Sequence, residues 1–143
     1  MAAPHPQTWL VPRPEGLWCA PGDYYIDPTR AVDRAVVTHG HGDPARPGNR
    51  AVQATEGTLA IMRTRYGDEA GGALQALRYG ERLRVGEVEV TLAPAGHVLG
   101  SAQVRLEYRG AVAVVSGDYK RRPDPTCAPF EPVTVMAASG AAE

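Results

Sequence analysis

The sequence predicts a strand-rich α/β fold with little helix, and three observations carry that prediction. The second half of the chain alternates apolar and polar residues with period two, as strands with one buried face do. A single window, 55–66, repeats its apolar residues at three- and four-residue spacing, as a helix does. Three of the four histidines lie in Gly-flanked loops directly after short apolar runs, a placement shared by Asp43 and Asp118.

Residues 1–16 are proline-rich and predict an extended or loosely ordered start, in which His5 is read as inert. "LWCAPGDYYI" (17–26) predicts two short strands around a Pro21-Gly22 turn. "RAVVTH" (34–39) is a compact apolar run of the kind that forms a buried strand, and the polar loop "GHGDPARPGNR" follows at once. "AVQAT" (51–55) predicts another strand. Thr55 then stands where it can cap a helix to about Tyr66, with Leu59, Met62 and Tyr66 on one face. "GDEAGG" ends that helix. The strands "LQALRYG", "ERLRVG", "EVEVTLAPA", "SAQVRLEY" and "AVAVVSG" follow, with hairpin turns at Gly86 and at Arg109-Gly110. Val104, Leu106 and Tyr108 face one side while Arg105, Glu107 and Arg109 face the other. There is no internal repeat and no heptad.

Bulk properties exclude several classes. A chain of 143 residues is the size of one domain. A net charge of −1 argues against wholesale binding of nucleic acid by charge, so contact with phosphates has to come from a local patch. The fourteen arginines against one lysine, Lys120, read as codon bias in a GC-rich genome. Cys19 and Cys127 form no CxxC pair, which suggests neither a disulfide framework nor a thiolate zinc site and makes a reducing, cytoplasmic setting the expectation. The start lacks the pattern of a signal peptide, and no apolar run approaches the length that crosses a bilayer. No membrane partner is expected.

The chemistry rests on five residues. In an extended segment residues two apart point the same way, so His39, His41 and Asp43 can present two imidazoles and a carboxylate to one point. Such nitrogen and oxygen ligands suit zinc, whose catalytic sites leave one position for water. His97 in "APAGHVLGS" adds a third imidazole from a separate loop, and Asp118 in "VVSGDYKRR" a further carboxylate. Each piece alone is as compatible with an ordinary turn. As an ordered set they are much harder to obtain by chance.

"THGHGD", "AGHVLGS" and "SGDYKRR" resemble the successive metal motifs of the metallo-β-lactamase fold, in its nucleic-acid-processing branch. The flanking text, including "YIDPTRAVDRAVVTHGHGDPARPG", "QALRYGERLRVGEVEVTLAPAGHVLGSAQV" and "VVSGDYKRRPDPTCAPFEP", resembles the bacterial ligase-associated DNA exonuclease group. The likeness runs from about Trp18 to Pro132. It implies a metallo-β-lactamase-type αβ/βα sandwich and hydrolysis of phosphodiester bonds in DNA. It implies that His39, His41 and His97 hold one zinc, that Asp118 bridges to a second, and that Asp43 binds the second and orients or deprotonates the attacking water. Lys120, Arg121 and Arg122 then hold the substrate backbone, or form a solvated charge run. A DNA ligase and a helicase are the implied partners. An RNA-processing nuclease of the same fold is the alternative substrate reading, and a lactamase or thioester hydrolase a more distant one.

Two departures temper that expectation. The pattern HxHxDH ends here in Pro44, which has no ligand atom, so one zinc of two is expected to be retained. The chain is also expected to hold only the N-terminal αβ half of the sandwich: a proline-rich extension over 1–16, the N-terminal part of the domain over 17–132, and an atypical tail over 133–143. On that reading the inner face of the sheet has no second sheet to pack on, and covers itself by self-association or by a partner chain. A truncated or frameshifted enzyme of very low activity, or a non-catalytic metal-binding remnant, follows. Pro44→His alone is not expected to restore activity.

Overall fold

The computed structural model describes residues 3–40, 47–95 and 100–116. Ten strands and one helix are present among them, in two sheets. The first sheet has the order β1 (Leu10–Arg13), β2 (Gly16–Cys19), β3 (Tyr24–Ile26), β4 (Arg34–Val36), β5 (Ala51–Ala54), β6 (Ala73–Ala76). Its first three strands are antiparallel, and β3 through β6 run parallel. The second sheet is an antiparallel meander of β7 (Arg82–Val85), β8 (Val88–Pro94), β9 (Ala102–Tyr108) and β10 (Ala111–Ser116).

The hairpin turns fall where the sequence puts them. Gly86 takes φ 61° as the first of two residues between Val85 and Val88, the position where a tight hairpin demands glycine. Arg109 and Gly110, at φ 48° and 81°, make the turn between Tyr108 and Ala111, with both central residues left-handed. Helix α1 (Glu56–Tyr66) starts at Thr55, whose hydroxyl accepts from Thr58 N.

The helix lies on one face of the first sheet. Leu59 and Met62 bury there against Ala35, Val37, Val52 and Ala54, flanked by Tyr66 and Leu74. Each of those two large side chains contributes about 1.5–3 kcal/mol by leaving water. The opposite face of the same sheet meets the second sheet. Tyr24, Ile26 and Val36 from the first pack with Val90, Leu92, Val104, Leu106, Ala113 and Val115 from the second in one continuous core.

Two expectations change here. The inner face of the first sheet is not bare: residues of β7–β10 of this same chain pack against it. Period-two alternation shows that a strand buries one face, but not which sheet it joins. The proline-rich start is also more ordered than expected. Trp9 and Leu10 belong to the core, and Leu10–Arg13 pairs with β2, because the prolines sit in a short 3₁₀ turn and on an edge strand. His5 caps that turn through Nδ1, which accepts from Gln7 N, and so has a structural role. The expected boundary at 132 and the tail after it lie outside the described residues. No helix among the described residues is long and apolar enough to cross a membrane.

Candidate functional site

In an open parallel sheet, ligands gather outside the carboxyl ends of the strands. His39 stands at that end, three residues past β4, and is 3% exposed. Its position follows from the strand before it: Ala35, Val36 and Val37 are apolar and buried on alternate faces of the sheet, and the chain turns polar again at Thr38 and His39.

Two residues that sequence reasoning did not single out fix the His39 ring. Asp27 follows β3, and the parallel pairing of Ile26 with Val36 brings it beside the end of β4. Its carboxylate accepts twice from Thr38, from the backbone N–H at 2.8 Å and from the hydroxyl at 2.7 Å. Thr38 Oγ1 also lies 3.0 Å from His39 Nδ1. A hydroxyl has one proton, and Thr38 spends it on Asp27. Toward His39 it therefore accepts, so Nδ1 carries the hydrogen and Nε2 is the acceptor nitrogen. Carboxylate, hydroxyl and imidazole form one directed chain, the arrangement that orients a histidine toward a metal. Asp27 holds φ 49°, a left-handed conformation that aspartate tolerates better than most residues. A carboxylate in a Pro-containing turn directly after a predicted strand was the available signal.

The second sheet is tied to this point. Thr38 O accepts from Ala102 N at 2.7 Å, which joins the end of β4 to the start of β9. Ala95 N donates to Ser101 O, and Tyr79 donates from its hydroxyl to the same Ser101 O at 2.7 Å. Gly100 O accepts from the hydroxyls of Thr55 (2.6 Å) and Thr58 (3.1 Å) at the start of α1. Gln103, beside Ala102, is in register with Ala93 on one side and with Ser116 on the other. Gly40 and Ala95, which follow β4 and β8, and Ser116, which ends β10, thus stand at one edge of the molecule.

His41, Asp43, His97 and Asp118 lie outside the described residues, as do Lys120, Arg121 and Arg122. Among the described residues no cluster of three or more His, Cys, Asp or Glu side chains makes a metal site. The donor chemistry at His39 does fit one: a buried imidazole held from behind at Nδ1, whose neutral form presents Nε2 as the ligand nitrogen.

No family model matches the chain. A ribonuclease of Thermus thermophilus is 34% identical over an alignment that takes in 73% of this chain and 31% of the relative. A probable DNA ligase of Opitutus terrae is 30% identical, over 90% of this chain and 13% of its own length. The chain therefore spans less than a third of either curated relative. Among solved structures, a metallo-β-lactamase of Cronobacter sakazakii superposes with a TM-score of 0.51 at 14% identity, covering 76% of this chain and 56% of that one. The order of elements, the edge that gathers His39 with the ends of β8 and β10, and the likeness to that structure agree: the chain has the metallo-β-lactamase fold.

Proposed function

We propose that this chain carries the metal-binding part of a metal-dependent nuclease, a hydrolase of phosphodiester bonds acting on DNA as an exonuclease. The observation that carries the reading is the Asp27–Thr38–His39 chain of hydrogen bonds, because it fixes a buried imidazole with Nε2 as the acceptor nitrogen at the carboxyl end of a parallel sheet. On this reading His39, His41 and His97 would hold one zinc, and Asp118 would add a carboxylate ligand. Asp43 orients the attacking water. A zinc held by these residues would supply a water-derived nucleophile at physiological pH. Lys120, Arg121 and Arg122, which follow Asp118 directly, bind the backbone of the strand being cut. Pro44 supplies no imidazole, so the chain retains one zinc and has low activity.

A second reading has its own support. One relative is named a ribonuclease, which favours RNA; the other is named a probable DNA ligase, which favours DNA. The test is zinc per chain in the purified protein and in His39→Ala, paired with hydrolysis of end-labelled DNA and RNA with and without a chelator. About one zinc per chain, lost in His39→Ala, with weak chelator-sensitive cleavage of DNA, is the expected result. Cleavage of RNA alone moves the assignment to the second reading. No zinc in the parent protein ends both.

A further inference from the structure

Helix α1 shows two stripes with different tasks. Leu59, Met62 and Tyr66 face the sheet. Thr58, Ile61 and Arg65, at spacings of three and four, form the adjacent stripe along the helix. This second stripe touches both loop ends described above. At its start the Thr58 hydroxyl, joined by that of Thr55, donates to Gly100 O at 3.1 Å. In its middle Gly40 packs against the helix so closely that a Cβ there would lie 2.7 Å from Ile61 Cβ and 3.1 Å from Thr58 O. At its end Arg65 Nη1 donates to Gly40 O at 2.9 Å.

In the sequence Gly40 stands between His39 and His41, and Gly100 stands three residues after His97. One rigid element therefore holds both Gly40, four residues past β4, and Gly100, two residues before β9. Thr58 is shared, with its hydroxyl on one loop end and its carbonyl against the other. Packing of the sheet-facing stripe explains none of these contacts.

We propose that helix α1 is the positioning element of the site, with Thr58 and Arg65 as the positioning residues that keep the His39–Gly40 segment and Gly100 in one register. The inference rests on the metal-site reading for its function, but its geometry is independent of any metal. Gly40 and Gly100 then serve as the points where the backbone approaches the helix. Thr55 is a poorer probe than Thr58, because it also caps the helix.

The test uses four variants of the full chain: Thr58→Val and Arg65→Met remove the contacts, while Thr58→Ser and Arg65→Lys keep a donor. Cobalt(II) affinity, read from its visible absorption bands, is expected to fall by about tenfold in Thr58→Val and in Arg65→Met and to return in the conservative pair. Melting of the metal-free variants is expected to stay close to that of the parent. Unchanged cobalt affinity in both disruptive variants overturns the proposal. Should the parent bind no cobalt, the metal-site reading fails, and the proposal is decided on the metal-free chain by NMR of the His39 ring. A shifted Nδ1–H resonance in Thr58→Val or Arg65→Met, restored in the conservative variants, supports positioning; an unmoved resonance overturns it. If Thr58→Val does not fold, Arg65→Met carries the same test from the other end of the helix.

Discussion

Thr38 bears more of the site than its size suggests, since one hydroxyl both donates to Asp27 and accepts from His39. Thr38→Val keeps the shape and removes both bonds. It leaves a partly buried carboxylate with one donor fewer, a loss of about 1–3 kcal/mol, and lets the imidazole choose its tautomer. Zinc affinity measured against a competing chelator is expected to drop by about tenfold, with Thr38→Ser close to the parent protein. Gly100 makes a complementary case. At φ 77°, a Cβ would lie 2.5 Å from Thr55 Oγ1 and 2.6 Å from Thr58 N. Gly100→Ala is therefore expected to cost at least about 2 kcal/mol in urea unfolding, combining left-handed strain with a backbone clash. At this scale the sequence shows its histidines, because alternation after an apolar run is visible in the text. It does not show Asp27, whose place beside Thr38 comes from the parallel pairing of β3 with β4 across a ten-residue gap in sequence that only the fold closes.

Strands and turns were the most legible elements, since local rules decide them. Pro21-Gly22, Gly86 and Arg109-Gly110 each mark a reversal, and the Val104–Leu106–Tyr108 stripe does face the core while Arg105 and Glu107 pair with each other on the outside at 3.4 Å. The helix was legible from Thr55 and its apolar spacing, but its second stripe was not. Thr58 and Arg65 look like ordinary polar helix residues until the loops they hold are placed. The Arg109-Gly110 turn offers a test of the local rules alone. Arginine is costly in a left-handed position that asparagine tolerates. Arg109→Asn is expected to raise stability by about 0.5–1 kcal/mol, less whatever the Arg109 guanidinium gains 5.2 Å above the Tyr108 ring. An unchanged or lower urea midpoint would show that the ring contact outweighs the backbone strain.

The whole molecule is held by the core between its sheets, and that core was the least legible feature, because alternation is silent on which distant surface a buried face meets. The same core contains two ionisable groups that test it. Cys19 and Tyr24 are fully buried there, and burial pushes the pKa of each upward. In the unfolded chain they ionise near about pH 8.5 and about pH 10. Above those values the unfolded chain has lost protons that the folded chain keeps, so stability is complete below about pH 8 and falls as pH rises. Each group adds a slope of up to about 1.4 kcal/mol per pH unit once its unfolded form titrates. Tyr24→Phe keeps the ring and removes one titration, so it is expected to flatten the decline above about pH 10 and to leave that between pH 8.5 and 10 to Cys19. Urea midpoints between pH 7 and 10.5, read by tryptophan fluorescence and far-ultraviolet circular dichroism, decide the matter. If the two sheets form one cooperative unit around this core, both probes shift together, since Trp9 reports from the core and the dichroism from both sheets. Midpoints that ignore pH, or probes that separate, would mean that the sheets part before Cys19 and Tyr24 are exposed, and that the core between them is not what holds the chain together.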